Sequence, residues 1–152
     1  MRLAEALSRR SFIAARMTEL RKRAVGNAQY QEGTEPAEDP NELLTEYDQL
    51  AIEFETLVRR INATNLATEF TPGTTLTDAL AWRDSLRLRH RARVELADAA
   101  TAPPNRYSRS EILRVSAVDV RGLRREADDL ARELRELDNR VQELNWTTEV
   151  VD

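Results

Sequence analysis

Eight apolar residues recur at spacings of three and four near the end of this chain: Val120, Leu123, Ala127, Leu130, Leu134, Leu137, Val141 and Leu144. With 41% apolar content, eight consecutive hits have a chance of about one in a thousand per register, so the period is a structural signal. Leu43, Tyr47, Leu50, Phe54, Leu57 and Ile61 repeat it earlier. A narrow apolar stripe of this kind must be covered by a neighbouring rod, as in coiled coils and elongated bundles.

Four helices are expected, at about 2–25, 40–65, 76–100 and 119–145, in one helical domain spanning 1–152. Leu3, Leu7, Ile13, Met17 and Leu20 supply the stripe of the first, and Gly26-Asn27 suits its C-terminal stop. An acidic, Gly- and Pro-bearing linker, 29–39, follows. Asp39 is placed to cap the second helix, with Pro40 in its first turn and Glu42 three residues after the cap. Thr71-Pro72-Gly73-Thr74 is a turn signal. Thr75 or Thr77 caps the third helix, Pro103 and Pro104 stop it, and Asp119 caps the fourth.

A helix of 25 residues is about 38 Å long. Four equal rods with short connections favour an all-α, up-down-up-down antiparallel bundle. The two termini and the 66–75 turn then share one end, and the linkers 26–39 and 101–118 share the other. Gln29–Gln31 can there pair with Ile112–Val115 as a two-stranded ribbon. Leu44, Ala51 and Val58 widen the second stripe, while Leu76, Leu80, Trp82, Leu86, Leu88, Val94 and Leu96 spread around the third helix. Apolar residues on several faces call for more than one neighbour, so a homo-oligomer is expected.

Composition narrows the chemistry. The chain has no cysteine, and its net charge is -4 with 33% charged residues. Thiolate chemistry and disulfides are excluded, which fits a cytoplasmic protein, and the acidic balance gives no strong nucleic-acid signal. No stretch approaches the ~20 apolar residues of a membrane span. All basic residues but Lys22 are arginine. They are scattered over nearly every helix, as codon bias would scatter them.

The candidate sites are few. Arg83, Arg87 and Arg91 belong to an arginine-rich turn series on the third helix, opposed locally by Asp84 alone. They could bind RNA or a nucleotide. The acidic residues of the fourth helix offer them partners at lower cost. Arg106, Tyr107 and Arg109 combine cations, an aromatic ring and neighbouring hydroxyls, a set suited to an anion or a partner contact. Asn62, Asn65, Asn145 and Trp146 form a polar cluster at one bundle end, able to satisfy frayed helix termini. His90 is the one histidine; it sits a turn from Leu86 and Val94 among arginines, and no Glu-x-x-His pair accompanies it. No catalytic residue, metal site or cofactor is expected.

Several strings together carry a resemblance: Gln31-Glu32-Gly33, Glu35-Pro36-Ala37-Glu38-Asp39-Pro40, Leu76-Thr77-Asp78-Ala79-Leu80, Arg106-Tyr107-Ser108-Arg109-Ser110-Glu111-Ile112 and Glu143-Leu144-Asn145-Trp146-Thr147-Thr148. On these the chain resembles a septicolysin-like family of uncharacterised bacterial helical proteins. The resemblance implies an all-helical protein and hints at membrane activity. The residues themselves favour a non-enzymatic helical assembly or interaction protein that self-associates through its seams. Membrane activity and RNA or nucleotide binding are the alternatives.

Overall fold

A computed structural model describes residues 1–103 and 113–151. Within them the chain forms α1 (Leu3–Gly26), α2 (Pro40–Ala67), β1 (Glu69–Thr71), β2 (Thr74–Thr75), α3 (Leu76–Thr101) and α4 (Val120–Thr147). The structure is thus all-α with one small ribbon, and each helix starts and stops within two residues of its expected place. It divides into two compact units, Met1–Thr75 with Glu143–Asp152, and Leu76–Gln142.

In the first unit α1 and α2 run antiparallel. Arg9 pairs with Glu53, Arg16 with Glu46 and Arg23 with Glu38, so residue numbers rise along one helix as they fall along the other. Beside these pairs the core holds the fully covered Leu3, Ala6, Ile13 and Leu20 of α1 and the buried Leu43, Leu57 and Ile61 of α2. Asp39 caps α2 as its position suggests: its carboxylate accepts from the Asn41 amide at 2.8 Å, with Pro40 in the first turn.

The termini and the 66–75 segment both belong to this unit, as the antiparallel reading requires. The C-terminal tail lies across the first turn of α1. The Leu3 amide donates to the Thr148 carbonyl and the Val150 amide to the Met1 carbonyl, each at 2.9 Å. The first of these bonds satisfies a donor that a helix N-terminus otherwise leaves open. Thr64 joins the tail to α2: its hydroxyl donates to the Arg60 carbonyl at 2.7 Å and accepts from the Val151 amide at 3.1 Å.

The ribbon is not where Gln29–Gln31 and Ile112–Val115 were expected to place it. Gln29–Gln31 and Leu113–Val115 carry no strand, and Ile112 lies outside the described residues. The strands β1 and β2 instead flank the Thr71–Thr74 turn, with Glu69 opposite Thr75 and Thr71 opposite Thr74. The physical reason is local. Pro72 presets the first turn position, and Gly73 takes φ +81°, the left-handed value that the second position of a type II turn requires. β-branched threonines extend from both sides of that turn.

In the second unit α3 and α4 are also antiparallel, joined by Arg93–Glu126 at 2.7 Å and Arg124–Asp98 at 3.1 Å. Leu86 and Ala97 of α3 are fully covered, and Ala127, Leu130, Leu137 and Val141 of α4 are buried. The long stripe of the fourth helix is therefore the buried face. Asp119 caps α4 as expected, accepting from the Gly122 amide at 3.0 Å.

Candidate interaction surface

The α1–α2 seam has two unlike edges. Arg9, Arg16 and Arg23 close one of them. Arg9 grips Glu53 through two bonds of 2.7 and 3.0 Å, and Arg16 donates to Glu46 at 2.8 Å and to Glu19 at 3.1 Å. Arg23 bonds both Glu38 and Glu19. The hydrogen bond from Arg9 holds the Glu53 carboxyl below the usual carboxylate range, and the bond from Arg23 does the same to Glu38. Glu19 is lowered by Arg23 first and Arg16 second.

Among the described residues the other edge carries no such lacing. It opens as a shallow groove lined by Ala14, Met17, Thr18 and Arg21 of α1 and by Tyr47 and Phe54 of α2. Tyr47, Ala51, Phe54 and Val58 are only half-buried, and Leu44 is 53% exposed. These five recur at spacings of three and four, and so do Leu7, Arg10, Ala14, Met17 and Arg21 on α1. Each helix thus carries a second seam beside the one it spends on its partner. Tyr47, Phe54, Leu7 and Met17 belong to both. The flanking residues Leu44, Ala51 and Val58 are visible in the sequence. The matching strip on α1 is not recognised there, because Arg10 and Arg21 interrupt its apolar pattern.

The two helices differ in charge. α1 carries Arg9, Arg10, Arg16, Arg21, Lys22 and Arg23 against Glu5 and Glu19. α2 carries Glu42, Glu46, Asp48, Glu53 and Glu55 against Arg59 and Arg60. Among the described residues no ion pair engages Arg10, Arg21, Asp48 or Glu55.

The arginine-rich stretch of α3 is largely spent within its own unit. Arg83 and Arg87 both approach Asp138 of α4, at 3.8 and 3.5 Å, and both approach Asp84. Arg93 pairs with Glu126. Arg91 is exposed and enters no ion pair among the described residues. His90 is half-buried on the same helix. Trp82, Leu88 and Leu96 remain 45%, 64% and 46% exposed, which fits the spread of apolar residues seen around this helix.

The four residues of the polar end cluster differ in exposure. Asn145 is buried and Asn65 half-buried, whereas Asn62 is exposed and Trp146 is 64% exposed. Thr64, which sequence reasoning did not single out, is one of the residues that tie the tail down. Its signal was its position three residues beyond Ile61, continuing the stripe. Arg106, Tyr107 and Arg109 lie outside the described residues. No group of three or more acidic or histidine side chains among the described residues is placed to hold a metal ion.

Two antiparallel helical hairpins with one ribbon and a docked tail define a class, and comparison places the chain within it. The chain belongs to a family of unknown function, DUF6847, whose model matches residues 10–150. A crystal structure of a functionally unknown conserved protein from Corynebacterium diphtheriae is similar over 99% of this chain and 99% of that one, at 47% identity and a TM-score of 0.94. No curated protein matches the chain. These findings overturn the septicolysin-like resemblance. The shared strings belong to a different family, and the membrane activity the resemblance implied loses its support. Among the described residues no helix is long and apolar enough to cross a membrane.

Proposed function

We propose that this chain is a cytoplasmic, non-enzymatic helical interaction protein that self-associates through coiled-coil seams. The observation that carries this reading is the open edge of the α1–α2 hairpin, where Tyr47 and Phe54 stay half-buried beside an exposed Leu44. Two aromatic rings held at a regular seam spacing are costly to leave wet. Each is already half-covered, so completing its burial gains about 1 kcal/mol. A rod packed on this edge would cover them. The paired state of Arg83, Arg87 and Arg93 argues against the alternative of RNA binding by α3, because a phosphate would have to displace carboxylates already in place.

Native mass spectrometry of the purified protein tests this reading. The expected spectrum shows multiples of the 17.4 kDa chain without a bound small molecule. A monomer carrying a stoichiometric ligand would contradict it.

A further inference from the structure

We propose that the partner on the open α1–α2 edge is a second copy of the same hairpin, related by a two-fold axis running along the helices. The inference rests on the self-association reading and specifies its geometry.

Two hairpins stacked through their open faces can be related by an axis along the helices or by an axis across them. An axis across the helices lays α1 on the partner's α1, basic surface against basic surface. An axis along the helices lays α1 on the partner's α2, basic against acidic, and antiparallel as within the hairpin itself. Like charges face to face oppose association, and complementary ones fix the register.

The internal ion pairs also set the level of each residue. Arg9 stands beside Glu53 and Arg16 beside Glu46, so Arg10 stands at the level of Ile52. A two-fold axis along the helices preserves those levels. Arg10 of one copy then meets α2 of the other between Asp48 and Glu55. Glu55 is three residues from that level, about 4.5 Å along the axis. Asp48 is four residues away on the other side, about 6 Å. Both are within reach of an arginine, and none of the three is engaged in an ion pair within its own chain among the described residues. The second seam supplies the apolar centre of this contact and Arg10 its selectivity.

Charge-reversed variants test the pairing. Arg10→Glu and the double variant Asp48→Arg/Glu55→Arg are each analysed alone and then mixed in equal amounts. Circular dichroism checks that the helices are retained, and sedimentation velocity reads the dimer. Each variant alone is expected to dimerise about a hundredfold more weakly than the wild type, since symmetry repeats the clash twice. The mixture is expected to recover at least half of the wild-type dimer. One of its two contacts sets the introduced glutamate against the two introduced arginines, and the other keeps the wild-type residues. A wild type that dimerises, with variants that dimerise equally well or a mixture that fails to recover, overturns this geometry while leaving self-association standing. A wild type that stays monomeric overturns both.

Discussion

Ile13→Ala should destabilise the protein by about 2–3 kcal/mol. Ile13 is fully covered in the α1–α2 seam. Isoleucine-to-alanine changes in cores cost about 2–5 kcal/mol, from lost transfer energy and from the cavity left behind. The lower part of that range applies because the neighbouring Met17, Tyr47, Leu50 and Phe54 are half-buried, so they can close part of the gap. Ile52→Ala is the matched control. Ile52 is 68% exposed on the outer face of α2, and its loss should stay within about 0.5 kcal/mol. The assay is urea unfolding followed by helical circular dichroism, at one fixed protein concentration, since association couples to apparent stability. Equal midpoint shifts for the two variants, or a larger shift for Ile52→Ala, would refute the assignment of the seam.

Three further outcomes follow from local structure. Asp119→Ala removes the side chain that accepts from the Gly122 amide and should cost about 1 kcal/mol in the same urea assay, as loss of an N-cap does. Gly73→Ala forces a Cβ into the left-handed region at φ +81° and should cost about 1–2 kcal/mol by thermal melting, although no atom lies within 4 Å of the new carbon. Glu38 and Glu53 have folded-state pKa values below the ordinary 4.5, so the unfolded chain takes up protons first as the solution is acidified. Their contribution is present above about pH 4.5 and is lost as the pH falls through the lowered values. Glu53→Gln should therefore flatten the fall of melting temperature below pH 4.5 relative to the wild type, and an unchanged slope would contradict the pairing.

The helices were legible because their signals are local and repeated. The stripe from Val120 to Leu144 and the Asp39-Pro40 and Asp119 caps each act over a few residues, and each appears where its spacing puts it. That the N-terminus and the 66–75 segment fall in one unit was also readable, since it follows from the antiparallel run of α1 and α2. The ribbon was misplaced because strand pairing was inferred from which linkers would share an end. The Thr71-Pro72-Gly73-Thr74 turn already held the stronger, local cause. The basic third helix was legible as a carrier of ion pairs, because Asp138 and Glu126 lie on the buried helix opposite Arg83, Arg87 and Arg93. The open edge was harder to read. Its α2 half shows in Leu44, Ala51 and Val58. Its α1 half is broken by arginines whose long stems can cover apolar surface while their charge stays in water. The resemblance misled for another reason. Short strings shared between helical proteins constrain linkers and caps, and they carry no information about a membrane step.

Sedimentation equilibrium of the wild-type chain over a concentration series is the decisive test of the proposed self-association. The average mass should rise from 17.4 kDa toward twice that value as concentration increases through the micromolar range. A mass fixed at that of the single chain up to millimolar concentration would contradict it.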